Sequence, residues 1–152
     1  MVIELENDAD LHINYIGAVI QQESVQEVLA PIWDGPAGFV RLIDCLRSET
    51  WRFFVPCNDD NKPMGLFWGE EWSPTEWLSN VVFLRKFWGK PAIEGALEVE
   101  KKVAKNYEQA VGLIHPKNLL SIRYANRLGF KQDGQIDMDG MTYNFFRRNI
   151  YG

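Results

Sequence analysis

Apolar residues recur along this chain at two periods, and the switches between them mark out its elements. His12–Ile20 (HINYIGAVI) reads as a first strand, an apolar run interrupted by single polar positions. Ser24 and Glu27 form a capping box at the start of a short helix that Pro31 ends. A second helix opens at Gly35-Pro36, where proline suits the first turn, and continues through Phe39, Val40, Ile43 and Leu46 at helical spacing. Thr50–Pro56 (TWRFFVP) and Met64–Glu70 are then strands on either side of the turn Asp59-Asp60-Asn61-Lys62-Pro63, which makes them an antiparallel hairpin. After a break at Ser73-Pro74-Thr75, Trp77–Leu84 (WLSNVVFL) is a strand whose apolar end suits the centre of a sheet.

Helical period returns over Pro91–Lys105, with Ala92, Ala96, Val99 and Val103 on one face and Glu94, Glu98, Lys101 and Lys105 elsewhere. Val111–Ile114 is a short strand that ends at His115-Pro116, because proline forces its predecessor out of the α region. Asn118 stands at a helix N-cap position, and the helix runs from it to Leu128. Leu119, Ile122 and Ala125 form one stripe of that helix, Leu120, Tyr124 and Leu128 its neighbour, and Gly129 supplies the left-handed stop. Lys131–Ile136 and Met141–Arg148 flank Asp139-Gly140, a strong hairpin signal. The order is therefore β-α-α-β-β-β-α-β-α-β-β.

Composition narrows the class. A chain of 152 residues with 46% hydrophobic and 13% aromatic residues has material for one folded domain, 1–152, with a real core. It contains no repeat, low-complexity tract or linker. No apolar run reaches spanning length, and Glu4, Glu6, Asp8 and Asp10 are wrong for a signal peptide, so the expectation is a soluble cytoplasmic protein with no membrane partner. A net charge of −5 argues against nucleic acid as a partner, and Arg147-Arg148 is too small a cluster to reverse that. Cys45, Cys57, His12 and His115 show no metal-ligand spacing, so no metal is expected and the cysteines suit reduced thiols.

The stretch GLIHPKNLLSIRYANRLGF carries the sharpest signal. Asn118, Ser121, Ile122 and Leu128-Gly129-Phe130 stand at the spacing of a signature segment of the GNAT superfamily of acyl-CoA-dependent N-acyltransferases, which the chain resembles over nearly all its length. The resemblance is closest to the branch that acetylates protein N-termini and small amines. Trp88, Gly89, Lys90, Ala96 and Leu97 are in register with that family's loop between the central strand and the following helix. In style the chain is also similar to small GNAT-like proteins of bacteriophages that have a "WGKPA" loop and a "GLI" strand. The resemblance implies an α/β (α+β) fold: a mixed, mainly antiparallel central sheet of six to seven strands flanked by about four helices. It also implies acetyl-CoA as acyl donor, lying where the fourth and fifth strands splay, and an amine or protein as acceptor.

Site residues follow from the same resemblance. Backbone N–H groups near Phe83, Leu84 and Arg85 would face a developing oxyanion. Those of Gly89, Lys90, Ala92 and Ile93, at a helix start, would cradle the pyrophosphate, with charge added by Lys90 or Arg85. Asn118 and Ser121 would meet the pantetheine arm, although capping alone would justify Asn118. Three departures bear on this. Pro91 stands where the family has glycine and lacks one N–H donor, and Ile93 places a branched chain where glycine or alanine is usual. Ala125 occupies the position of the family's tyrosine general acid; Tyr124 is adjacent, but one residue along a helix turns a side chain by about 100°. Glu70, Glu71 and Glu76 are candidate bases, and the segment Trp68–Trp77, with Trp68, Trp72 and Trp77, could line an acceptor pocket or a protein interface. Two functions stay open on sequence alone, an N-acetyltransferase and a noncatalytic GNAT-like module for binding or assembly.

Overall fold

The structure, a computed structural model, describes residues 1–5, 14–15, 18–19 and 43–150. Its strands are β1 (Val2–Glu4), β2 (Trp51–Pro56), β3 (Gly65–Ser73), β4 (Glu76–Phe83), β5 (Gln109–Ile114), β6 (Lys131–Met138) and β7 (Met141–Asn149). Two helices are described in full, α1 (Lys90–Val103) and α2 (Leu119–Arg127), and Arg85–Phe87 forms one turn of 3-10 helix before α1. All seven strands join one sheet in the order β1-β2-β3-β4-β5-β7-β6, which places β4 at its centre as its apolar end predicts. Every pairing is antiparallel except β4 with β5.

From Thr50 onward the expected element order holds, and one correction falls at the start. The first strand is Val2–Glu4, and within His12–Ile20 the described residues, 14–15 and 18–19, are helical. Tyr15 and Val19 are four apart, the spacing of one helix face: the Tyr15 hydroxyl donates to the Gly65 carbonyl, and Val19 is buried. β1 is held from outside itself, by the pairing of Ile3 with Val55 and by Arg52, whose Nε lies 2.7 Å from Glu4 Oε1. The Ser24–Glu27 capping box and the helix start at Gly35-Pro36 lie outside the described residues. Residues 43–47 are helical, and Leu46 is fully buried.

Alternation along the strands divides the core between the two faces of the sheet. Phe53, Val55, Leu66, Trp68 and Val82 pack with Val19, Ile43 and Leu46 on one face. Phe54, Phe67, Trp77, Ala110 and Phe146 pack beneath Ala96, Val99 and Val103 of α1 and Ala125 and Leu128 of α2 on the other. Of the tryptophans expected to line an acceptor pocket or a protein interface, Trp68 and Trp77 are each only 1% exposed, with Trp68 bordering a cavity in the sheet, and Trp72 reaches solvent beside Phe145. The Asp139-Gly140 hairpin forms as predicted, with φ of 53° and 77°, the two left-handed positions of a type I′ turn. No helix among the described residues is long and apolar enough to cross a membrane.

Candidate active site: a cavity between parted strands

β4 and β5 are paired at three positions only, Glu76 with Gln109, Trp77 with Ala110 and Leu78 with Val111. Beyond Leu78, β4 continues along β3 to Phe83, while Gly112–Ile114 stays with β7. Backbone groups that would have closed the ladder therefore face a gap. A cavity of about 350 Å³ opens there, lined by Ser79–Phe83, Gly112–His115, Gly89, Ala92 and Glu100, and by α2 from Asn118 to Leu128. Ser79 Oγ, Asn80 Nδ2 and Glu100 Oε1 are buried with no hydrogen-bond partner among the described residues, so polar atoms with unused capacity border the space.

The start of α1 forms one end of this cavity. Gly89 has φ of 92°, a conformation that excludes most side chains, and a Cβ built there would meet nothing within 4 Å. Of the four amides expected to face an anion, that of Ile93 closes the first helical turn onto the Gly89 carbonyl at 3.1 Å. Those of Gly89, Lys90 and Ala92 have no carbonyl acceptor among the described residues, and Pro91, at the first turn, has no N–H to offer. The Ile93 side chain packs against the core and does not line the cavity, so its branched chain leaves the entrance clear. Lys90 is exposed and its Nζ lies 3.6 Å from Glu94, while the Arg85 guanidinium lies over the Trp88 ring. The Trp88 indole in turn donates to the Phe83 carbonyl at 2.8 Å, fixing the last residue of β4. The Leu84 amide, expected near an oxyanion, donates instead to the Met64 carbonyl at 2.9 Å.

Asn118 caps α2 as its position predicts, its Oδ1 accepting from the Ser121 amide at 3.2 Å, and both residues line the cavity. Tyr124 also lines it, with its ring centroid 6.1 Å from that of Phe83 and its hydroxyl donating to the Ala92 carbonyl at 2.9 Å. Burial, and then the nearby Glu100 carboxylate, hold that phenol far above its ordinary pKa. The candidate bases stand apart from this group. Glu70 and Glu71 are consecutive on β3 and face opposite sides of the sheet; Glu71 accepts from the Tyr107 hydroxyl at 3.4 Å, and neither glutamate lines the cavity. Glu76 is held by Arg147 at 2.8 Å and by the Ser73 hydroxyl at 2.9 Å, at the end where β4 and β5 are still paired.

Several lining residues escaped the sequence reading. Arg123 and Arg127 give the α2 side of the cavity positive charge. His115, at the end of β5, accepts the Lys117 amide hydrogen at Nδ1 at 3.1 Å, which leaves Nε2 to carry the proton of a neutral ring. Glu100 did carry a signal, because it lies four residues after Ala96 and three before Val103, a charge set into an apolar stripe.

No protein-family model and no curated protein sequence matches the chain. Solved structures do. The aminoglycoside N(6')-acetyltransferase of Legionella pneumophila superposes with a TM-score of 0.79 at 12% identity, over 98% of this chain and 92% of that one. A GNAT superfamily phosphinothricin acetyltransferase from Sinorhizobium meliloti, in complex with AcCoA, gives 0.70 at 12% identity over 99% and 89%. Spermidine N-acetyltransferase from Vibrio cholerae, in complex with CoA and spermine, gives 0.70 at 11% identity over 97% and 95%. With its strands parted after Leu78 and Val111, and 97–99% of its length matched by these enzymes, the chain has the fold of the GNAT superfamily acetyltransferases.

Proposed function

We propose that the protein is an N-acyltransferase of the GNAT type, moving an acyl group from a CoA thioester to an amine, with acetyl the smallest group it would carry. The observation that carries this reading is the parting of β4 from β5 into a cavity that extends to Gly89 and Ala92, at the helix start where the amides of Gly89, Lys90 and Ala92 are open. Those amides, at the positive end of α1, suit a pyrophosphate, and Arg123 and Arg127 suit further phosphate charge. Asn118 and Ser121 would border the pantetheine arm. The buried, unpartnered Ser79 Oγ and Asn80 Nδ2 fit a polar ligand in the gap better than an empty one.

The chemistry needs little covalent help. The amine nitrogen attacks the thioester carbon, the C–N bond forms as the C–S bond breaks, and the proton lost by nitrogen balances the charge on the departing thiolate. β4 would contribute N–H groups left without a β5 partner, directed at the oxygen that gains charge. Two of the enzymes with this fold are, by their names, an aminoglycoside acetyltransferase and a spermidine acetyltransferase bound to spermine, and a chain of net charge −5 favours a cationic acceptor here too. Calorimetric titration with acetyl-CoA and with free CoA tests the reading. Saturable micromolar binding is expected, and no heat at millimolar ligand would remove it.

A further inference from the structure

Glu100 is the only charged or polar residue that is buried among the described residues, 4% exposed at the inner face of α1. Its Oε2 takes the Arg148 guanidinium of β7, while Oε1 has no partner among the described residues. The residue lines the same cavity as Ser79 and Asn80. The same cavity has an apolar part to its lining: Phe67 and Phe146 from the sheet, and Ala125, Leu128 and Phe130 from α2 and its exit. Ala125 matters by its size, since a larger side chain at that buried position would occupy the space into which it faces.

We infer that this inner part of the cavity is a subsite for an acyl group longer than acetyl that carries a hydroxyl, with the hydroxyl donating its hydrogen bond to Glu100. The inference rests on the acyltransferase reading and names its donor substrate more closely. A plain alkyl chain entering here would strip water from Oε1 and leave it buried and unpaired, which is costly. An ammonium would add a second cation beside a pair that Arg148 already neutralises. A carboxylate would face Glu100 as a like charge. A neutral hydroxyl satisfies the free oxygen without changing the charge, donating to Oε1 when the carboxyl is ionised and accepting from it when Oε1 carries the proton. Burial pushes that carboxyl up to about 7 against the pull of Arg148, so both forms are present near neutrality.

The full chain is titrated calorimetrically with acetyl-, butyryl-, 3-hydroxybutyryl- and 4-hydroxybutyryl-CoA. At least one hydroxyacyl thioester should bind about tenfold more tightly than butyryl-CoA, the effect of one hydrogen bond to a buried acceptor. In the paired variant Glu100→Met with Arg148→Met, which replaces the ion pair by apolar chains of similar length, that preference should vanish while butyryl-CoA still binds. Equal binding of butyryl and hydroxyacyl thioesters by the native protein, or binding of acetyl-CoA alone, would overturn the subsite and leave the acyltransferase reading standing. Failure of all four thioesters and of free CoA would remove that reading, and the subsite with it.

Discussion

The Tyr124 hydroxyl donates to the Ala92 carbonyl at 2.9 Å, so a side chain that lines the cavity is also the tie between α2 and the first turn of α1. Its proton is engaged on a backbone oxygen, and burial holds the phenol well above its ordinary range. This geometry favours a positioning role over that of the general acid which the family's tyrosine would supply from the position of Ala125. Tyr124→Phe should therefore cost about 1 kcal/mol of stability, the usual net worth of one such hydrogen bond. Its kcat for acyl transfer should fall by less than tenfold. A drop of about 10²–10⁴ at unchanged stability would return Tyr124 to the chemistry.

Pro91 offers a direct handle on the open amides. It occupies the first turn of α1, where its fixed φ helps the helix and its missing N–H interrupts the run of Gly89, Lys90 and Ala92. Pro91→Ala adds a fourth donor at that point. CoA affinity should rise by up to about tenfold, as for one added charge-assisted hydrogen bond to phosphate. Stability should fall by about 0.5–1 kcal/mol through the freer unfolded chain. An affinity that does not change would mean that the phosphate sits elsewhere than on this turn.

Much of this architecture is written locally. Asn118, Gly129 and Asp139-Gly140 each sit where one backbone requirement decides the residue type, and each reads correctly from sequence. The first strand does not. Val2–Glu4 is too short to carry a period, and its partners Phe54, Val55 and Pro56 are some fifty residues away, so only tertiary pairing defines it. His12–Ile20 misleads for the complementary reason: Tyr15 and Val19 read as strand by composition but share a helix face. At the site, the amide positions were legible from Gly89 and Pro91. Which amides are already committed was not, because the acceptors for Leu84 and Ile93 are a residue of another segment and a carbonyl whose role depends on where α1 begins.

The tryptophans separate core from surface. Trp77 is 1% exposed and packs against Phe54 and Tyr107, whereas Trp72 is 37% exposed at the end of β3. Trp77→Ala should cost about 3–5 kcal/mol, the range for a large aromatic removed from a packed interior, and Trp72→Ala less than about 1 kcal/mol. Chemical denaturation of the two variants side by side measures the contrast. Equal costs would mean that Trp72 packs more deeply in solution than its exposure indicates.

Glu100 sets a pH dependence with a definite sign. Its carboxyl is raised from an ordinary 4.5 to about 7, chiefly by burial and in spite of Arg148; Tyr124 is its other close titratable neighbour and stays neutral throughout this range. A folded state that holds the proton more tightly than the unfolded chain is favoured at low pH, and the advantage is lost as pH rises through the folded value. The protein should therefore lose stability between about pH 5 and pH 8, by an amount on the order of 1–3 kcal/mol. Glu100→Gln keeps the shape and removes the titration, so its stability should stay flat across the same window. Urea denaturation of both proteins at pH 5, 6.5 and 8 distinguishes the cases. The same slope in the variant would assign the titration to another group, and a native stability that is flat from pH 5 to pH 8 would mean that Arg148 outweighs burial and holds Glu100 ionised.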